Sequence, residues 1–144
     1  WVELADKKSD RHFFFFNTHF AHDSDSARKK SALLLLTRAD SIASDFPFIV
    51  TGDLNMLPSG EGYSILTGPF ESVPLIRDTY DISEESPEGP VYTFNGFSDK
   101  PGQGRIDYVF VRDGMRALNH RTMIKKDQGI FISDHWPVTA TISF

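Results

Sequence analysis

Polar side chains stand at the boundaries of four hydrophobic segments, where they could share one site. They are Asn17 and His19 after FFFF, Asp53 and Asn55 after FIV, Asp107 inside RIDYVF, and Asp134 and His135 before WPV. Strand ends are rigid positions for presenting functional groups. Carboxylates bind hard cations such as Mg²⁺, an imidazole paired with a carboxylate can act as a base, and amide N–H groups donate to phosphate oxygens. These residue types therefore indicate phosphate chemistry assisted by a cation.

Each motif also has a purely structural interpretation when it is taken alone. NTH could be a strand cap in which a backbone carbonyl satisfies His19, and GDLN could be a turn, since Gly, Asp and Asn are turn residues. SDH could likewise be a turn. Asp107 is harder to dismiss, because a carboxylate among apolar neighbours is costly to bury without a partner. Its structural partner would be Arg105 or a backbone amide, and its functional partner would be a histidine.

Two further positions depend on local geometry. If the strand FIVT continues through GDLN, the two-residue period of a strand places Asp53 and Asn55 on the same side. Arg28 lies four residues before Ala32 and shares the apolar face of a helix near its start. Its guanidinium either extends along the surface to reach water or points into the site.

The elements that must position these groups are alternating buried strands and helices. RHFFFFNTHF (11–20) and FPFIVT (46–51) are typical of buried strands. Between them Asp25 or Ser26 could cap a helix. Helical spacing predicts that its apolar face consists of Ala32, Leu35, Leu36, Ala39, Ile42 and Ala43. A short helix is predicted from near Ser59 to near Gly68.

The second half of the sequence is richer in strands. Residues 72–90 are predicted to be mainly loop. Strands are predicted at VYTFNGF (91–97) and RIDYVFVRD (105–113), joined as a hairpin by a long Gly- and Pro-rich loop. MRALNHRTMI (115–124) and DHWPVTATISF (134–144) are two more strands. This order predicts an α/β (α+β) layered fold with a largely antiparallel sheet portion.

The composition is that of a globular protein with a substantial core. The chain has 144 residues, is 40% hydrophobic and contains 13 Phe. It contains no Cys, which excludes disulfides and thiolate metal sites. It has no apolar run long enough for a transmembrane segment, and its start, WVELADKKSD, lacks the layout of a signal peptide. These features predict a soluble protein of unassigned compartment.

An ordered set of six motifs resembles the endonuclease/exonuclease/phosphatase (DNase I-like) superfamily, and its bacterial metal-dependent hydrolases in particular. The motifs are NTHF, ARKKSALLL, FIVTGDLN, TFNGF, RIDYVFV and SDHWPV. The resemblance covers nearly the whole chain. It implies a four-layer αββα sandwich with two mainly antiparallel sheets. It also implies in-line attack of an activated water on a phosphodiester or phosphomonoester, with Mg²⁺ or Mn²⁺ neutralising the developing charge.

The resemblance assigns catalytic roles to five residues. His135 matches the catalytic histidine, and Asp107 matches the acid that pairs with it. Asp53 and Asn55 match the acid and amide that orient the attacking water and hold the phosphate, and His19 matches a histidine that contacts the phosphate. Either Asp53 or His135 takes the proton from the water.

The metal and the substrate involve further positions. Asp134 matches an acid of the metal site, and the predicted substrate contacts are His19, Asn55 and Arg28. The net charge of −5 and the lack of a basic stripe with interleaved aromatic residues do not favour a nucleic-acid groove. A phosphorylated small molecule, a sugar phosphate, a small phosphodiester or a lipid head group is therefore at least as plausible a substrate as nucleic acid.

The resemblance also implies that residues 1–144 are the C-terminal half of a single domain. In the family, the first half supplies an Asn and a Glu that are principal metal ligands, together with several strands. An isolated chain of this length would then have an incomplete metal site and would expose apolar strand edges and faces. The alternative hypothesis is a non-catalytic module that keeps the site as a phosphate-binding or interaction surface.

Overall fold

The structure, a computed structural model, describes residues 1–70 and 73–144 as a mixed α/β fold with mainly antiparallel sheets. In chain order the elements are β1 (Val2–Ala5), β2 (His12–His19), α1 (Asp25–Ala43), β3 (Phe48–Asp53), α2 (Glu61–Thr67), β4 (Pro69–Phe70), β5 (Val73–Pro74), β6 (Ile76–Asp78), α3 (Thr79–Ile82), β7 (Asp107–Arg112), β8 (Arg116–Thr122), β9 (Lys126–Asp127), β10 (Ile130–Phe131) and β11 (Val138–Ser143). Among the described residues, no helix is both long and apolar enough to cross a membrane.

The central sheet has five strands in the order β1-β2-β3-β7-β6. Only β2 and β3 are parallel, as expected for two strands joined through helix α1, and the other neighbours are antiparallel. A second, two-stranded antiparallel sheet pairs β8 with β11. The pairs β4–β5 and β9–β10 form two small separate antiparallel sheets.

The two faces of the central sheet bury different cores, because side chains alternate along each strand. The first face packs on α1 and α2 and includes, among its buried strand residues, Phe14, Phe16, Phe48, Val50, Tyr108 and Phe110. Helix α1 buries Ala32, Leu36, Ala39 and Ala43 against this core, with Leu35 and Ile42 partly buried beside them, so the predicted apolar face is confirmed. Ser24 caps α1 by accepting from the Ala27 N–H, so the capping residue lies one position before the predicted Asp25.

The opposite face of the central sheet meets the second sheet. Ile49, Val109 and Val111 lie in one cluster with residues of β11, including Val138 and Ile142. This contact gives the face-to-face arrangement of two sheets that the sequence predicts. At one edge of the central sheet, β1 exposes the apolar side chains of Val2 and Leu4, and Trp1 just before the strand is also exposed.

Two predictions for the middle of the chain are wrong. Residues 91–97 do not form a strand and make no hairpin with β7. Their backbone pairs instead with the loop before β11, where the Trp136 N–H donates to the Thr93 carbonyl at 2.7 Å and the Asn95 N–H donates to the Asp134 carbonyl at 2.7 Å. A turn then follows at Gly96 and Phe97, both of which have positive φ. The strand would have to end there.

Strand β7 lies between β3 and β6, and β6 comes from the segment predicted to be mainly loop. Within it, Ser72 lies outside the described residues. Ile76–Asp78 forms β6, and Thr79–Ile82 forms the short helix α3. The Asp78 carboxylate caps this helix by accepting from the Tyr80 N–H. Burial of Ile76 and Asp78 anchors this otherwise polar stretch on the sheet edge.

Candidate active site

Three polar residues form a row across the central sheet. In the strand register, His19 at the end of β2 is the partner of Asp53 at the end of β3, and Asp53 is the partner of Asp107 at the start of β7. Alternation along the strands places all three side chains on the face that meets the second sheet. The register alone therefore brings together groups that lie far apart in the sequence.

His135 joins this row from the loop before β11. Its Nδ1 atom lies 2.8 Å from Asp107 Oδ2, and its Nε2 atom lies 3.8 Å from Asp53 Oδ2. Backbone contacts hold the imidazole in place, because the His135 N–H donates to Ser133 Oγ and the main chain at His135 forms a bridge with Phe94. The Asp107 carboxylate thus pairs with a histidine, one of the alternatives open from the sequence.

Asn55 reaches the cluster through a turn. Strand β3 ends at Asp53, and Asn55 has a φ of 49°, so the strand does not continue through GDLN as the two-residue period would require. The Asn55 N–H donates instead to Asp53 Oδ1 at 2.9 Å. This turn brings Asn55 Nδ2 to 2.9 Å from His19 Nε2 and lets it donate to the Phe20 carbonyl at 3.1 Å.

The ionisation of the cluster reflects its partial burial. Burial has the largest effect on Asp53 and raises the pKa of that carboxyl above its ordinary value of 3.8, with the charge of Asp107 acting in the same direction. Burial alone would lower the pKa of His135. The hydrogen bond to Asp107 and the charges of Asp53 and Asp134 outweigh it and raise the pKa above 6.5. Asp107 therefore favours a protonated His135.

Sequence reasoning did not identify the supports beneath this cluster. Thr93 is fully buried, and its Oγ1 accepts the N–H groups of both Ile106 and Asp107, which fixes the start of β7. Phe94 places its ring 5.1 Å from that of His135. The sequence signal for these supporting residues is the Thr beside Phe in TFNGF, but the same pair is common in ordinary strands. Only the fold shows that this segment supports the site.

The family of the chain follows from its match to a family model. The family model described as "Endonuclease/Exonuclease/phosphatase family" matches residues 3–135. The chain belongs to the endonuclease/exonuclease/phosphatase family. Members of this family are hydrolytic phosphoesterases. None of the curated proteins compared matches the sequence significantly.

Solved structures of this family share the fold. The chain aligns with an endonuclease/exonuclease/phosphatase from Bacteroides vulgatus at 28% identity and a TM-score of 0.84, covering 98% of this chain and 53% of that protein. It aligns with a mannosyl-6-phosphatase of Bacteroides thetaiotaomicron at 25% identity and a TM-score of 0.81, covering 97% and 54%. It aligns with TDP2 of D. rerio, complexed with a single-strand DNA product, at 19% identity and a TM-score of 0.69. This alignment covers 94% of this chain and 58% of that protein. The chain spans about half the length of these proteins.

The donor set of this family member fits a divalent cation. Asp53, Asp107 and His135 offer ligand atoms that all lie within 4.8 Å of one another. Two of the three are carboxylates, the donors that Mg²⁺ and Mn²⁺ prefer. The raised pKa of Asp53 reflects burial and a neighbouring negative charge, and a cation would offset both effects.

Two residues predicted from the sequence lie apart from the cluster's hydrogen bonds. Asp134 directs its backbone carbonyl to the Asn95 N–H, and its carboxylate acts on His135 through its charge. The Arg28 side chain is only 15% exposed and donates to the carbonyls of Ala21 and His22, as well as pairing with Asp25. Its described contacts close the loop before α1. Metal binding by Asp134 and substrate binding by Arg28 remain predictions.

Proposed function

We propose that the chain carries the catalytic residues of a Mg²⁺- or Mn²⁺-dependent phosphoesterase that cleaves by in-line attack of water. The observation that supports this most strongly is the His135–Asp107 pair at 2.8 Å, with the second imidazole nitrogen directed to Asp53. A carboxylate that holds one imidazole nitrogen leaves the other free to take a proton. In the same row, His19 and Asn55 provide nitrogen donors for phosphate oxygens.

In the proposed reaction, His135 is the general base. The oxygen of the attacking water bonds to phosphorus while the bond from phosphorus to the leaving oxygen breaks, and that oxygen keeps the electron pair. The proton of the water passes to His135 Nε2, and Asp107 stabilises the imidazolium that forms. Asp53 orients the water, since its Oδ2 faces both His135 and His19.

The phosphate would bind at the exposed end of the row. The His19 side chain is 69% exposed, which leaves it accessible to a substrate, and Asn55 Nδ2 lies beside it. His19 has its second ring nitrogen for a phosphate oxygen, whereas Asn55 could donate only by giving up its contact with His19 Nε2 or with the Phe20 carbonyl. Arg28 could join them only by giving up its bonds to the loop before α1.

The bound cation would be held by the carboxylates of Asp53 and Asp107, together with Asp134 as the ligand predicted from the sequence. When bound, Mg²⁺ or Mn²⁺ would neutralise charge on the phosphoryl oxygens. We also propose that residues 1–144 form the C-terminal half of the family domain. This proposal is consistent with a chain that spans about half the length of its solved relatives. Further ligands would then come from the other half.

The test is a phosphoesterase assay on the full-length protein with a panel of substrates. Bis-p-nitrophenyl phosphate, p-nitrophenyl phosphate, a hexose 6-phosphate and single-stranded DNA would each be tried with Mg²⁺, with Mn²⁺ and with EDTA. We expect at least one to be hydrolysed with metal present, and His135→Ala to abolish that activity. His12→Ala is the matched control, because His12 is exposed at the opposite end of β2.

Two results would count against the proposal. Full activity in His135→Ala would remove this residue from the chemistry. Phosphate binding without hydrolysis of any substrate would favour the alternative, a non-catalytic phosphate-binding module.

A further inference from the structure

A cleft of about 520 Å³ opens beside the candidate active site. One wall is the turn after β3, from Asn55 to Leu57, and the other is the segment of residues 94–106. Asn55 belongs to this wall, and its Nδ2 atom lies 2.9 Å from His19 Nε2, at the end of the row where phosphate is proposed to bind. A group esterified to a phosphate in the row would therefore extend into the cleft.

Phe94 lines the cleft beside the His135 imidazole. Its ring lies 5.1 Å from the His135 ring at an angle of 67°, and its backbone is paired with that of His135. The side chain is nevertheless 45% exposed, so one part of the ring is available to a ligand. The backbone pairing fixes this aromatic surface relative to the proposed base.

The lining is mainly apolar, although it also includes the polar side chains of Ser98 and Gln103. Ser98 Oγ accepts from the Lys100 N–H. Met56, Leu57, Ile106 and Pro101 contribute apolar surface. The Asn95 amide already donates to the Ser133 carbonyl and accepts from the Phe97 N–H. Lys100 is the one charged residue among the described residues that line the cleft. Gln103 and Lys100 can bond a few hydroxyls, but most hydroxyls of a sugar buried against the apolar surface would lose hydrogen bonds to water without replacement, which is costly.

We propose that the cleft binds the ester group of the substrate, and that this group is a planar, largely apolar ring that packs against Phe94. The inference rests on the proposed phosphoesterase function and narrows its substrate class. It favours phosphoesters of aromatic or heteroaromatic groups over phosphoesters of hydroxyl-rich sugars. Aromatic rings gain from edge or offset contacts with another ring in addition to the burial of apolar area.

The test measures binding rather than turnover, using phosphonates that cannot be hydrolysed. Titration calorimetry on the full-length protein with Mg²⁺ would compare methylphosphonate, phenylphosphonate and the phosphonate analogue of glucose 6-phosphate. We expect phenylphosphonate to bind about tenfold more tightly than methylphosphonate, because the ring adds apolar and aromatic contact. We expect the glucose analogue to gain less than phenylphosphonate.

Variants at two phenylalanines locate the effect. Phe94→Ala should reduce the preference for the phenyl group at least fivefold, whereas Phe94→Tyr should keep it. Phe97→Leu is the matched control, because Phe97 is 62% exposed nearby in the chain and does not line the cleft. It should leave the preference unchanged.

Several results would overturn this inference. They are equal affinity for the two simple phosphonates, no measurable binding of either, tightest binding of the glucose analogue, or a preference for phenyl that survives Phe94→Ala. Failure of the proposed function is a separate result, because it appears as full hydrolysis by His135→Ala. The binding comparison does not depend on that measurement.

Discussion

His135 Nδ1 lies 2.8 Å from Asp107 Oδ2, although the two residues are 28 positions apart in the sequence. The contact exists because β7 begins at Asp107 and the loop before β11 returns along residues 93–95. If Asp107 stabilises the imidazolium formed in the reaction, the geometry of this pair has a direct kinetic consequence.

We expect Asp107→Asn to lower kcat by roughly 100-fold or more, because the amide keeps the shape of the side chain and removes its charge. The measurement is kcat and KM of the full-length protein on whichever substrate it hydrolyses. Asp113→Asn is the control, since Asp113 is an exposed acid just after the same strand and pairs with Arg77. An equal loss of activity in both variants would indicate a general effect of removing charge.

His120 gives the fold a predictable dependence on pH. It is 2% exposed, and burial, with the nearby charge of Arg105, holds its pKa below the ordinary value of 6.5 despite the opposing charges of Asp78 and Asp81. At residue 120, the unfolded chain therefore binds more protons just below pH 6.5 than the folded chain does. The stabilising contribution of neutral His120 is complete above pH 6.5 and is lost as the pH falls through the lower pKa of the folded state.

His120 should accordingly lower the free energy of unfolding on acidification below pH 6.5, whereas His135, whose pKa is raised by Asp107, acts in the opposite direction. Urea denaturation at several pH values would measure it, and His120→Gln should flatten the curve in this range. Identical slopes in the wild type and His120→Gln would contradict the prediction.

Arg105 and Asp78 form a buried ion pair that joins the segment just before β7 to the end of β6, where α3 begins. Their side chains are 8% and 1% exposed, the closest N–O distance is 2.8 Å, and Arg105 also lies 4.0 Å from the centre of the Tyr80 ring. Asp78→Ala leaves the guanidinium buried without its main partner, so we expect a loss of about 3–5 kcal/mol in the free energy of unfolding.

An exposed ion pair is the comparison for this variant. Arg116 and Glu84 also form a close salt bridge, but both side chains lie largely in solvent. Glu84→Ala should cost at most about 1 kcal/mol in the same denaturation experiment. Similar losses for the two variants would mean that burial of the Arg105–Asp78 pair does not determine its energy.

The parts of the fold that could be predicted are those encoded locally. The apolar runs FFFF, FIV and YVFV identify β2, β3 and β7, and a helical period identifies α1. Polar residues at the ends of these strands then had to meet, because neighbouring strand ends lie at one edge of a sheet. The row His19, Asp53 and Asp107 follows from this reasoning once the strand order is known.

The parts that could not be predicted depend on distant partners. TFNGF has the composition of a strand, but its backbone groups bond to the loop at 134–136, some 40 residues away. Strand β6 lies in a polar sequence and exists because β7 offers it an edge. Asn55 reaches His19 through a side-chain turn on Asp53, which the two-residue period cannot represent.

Gly52 tests whether the spacing between β2 and β3 determines the residue before Asp53. Gly52 is the register partner of Thr18, and a Cβ atom built on Gly52 would lie 1.9 Å from the Thr18 carbonyl oxygen. The overlap is with backbone, so no side-chain rotation can relieve it, and the two strands would have to separate. We therefore expect Gly52→Ala to destabilise the protein strongly and to displace Asp53 from His19.

Gly104→Ala is the control, because there the added Cβ would lie 2.9 Å from the end of the flexible Leu57 side chain. Denaturation curves of the two variants should differ clearly, with Gly104→Ala the milder, and a wild-type curve for Gly52→Ala would show that the strands can move apart at little cost.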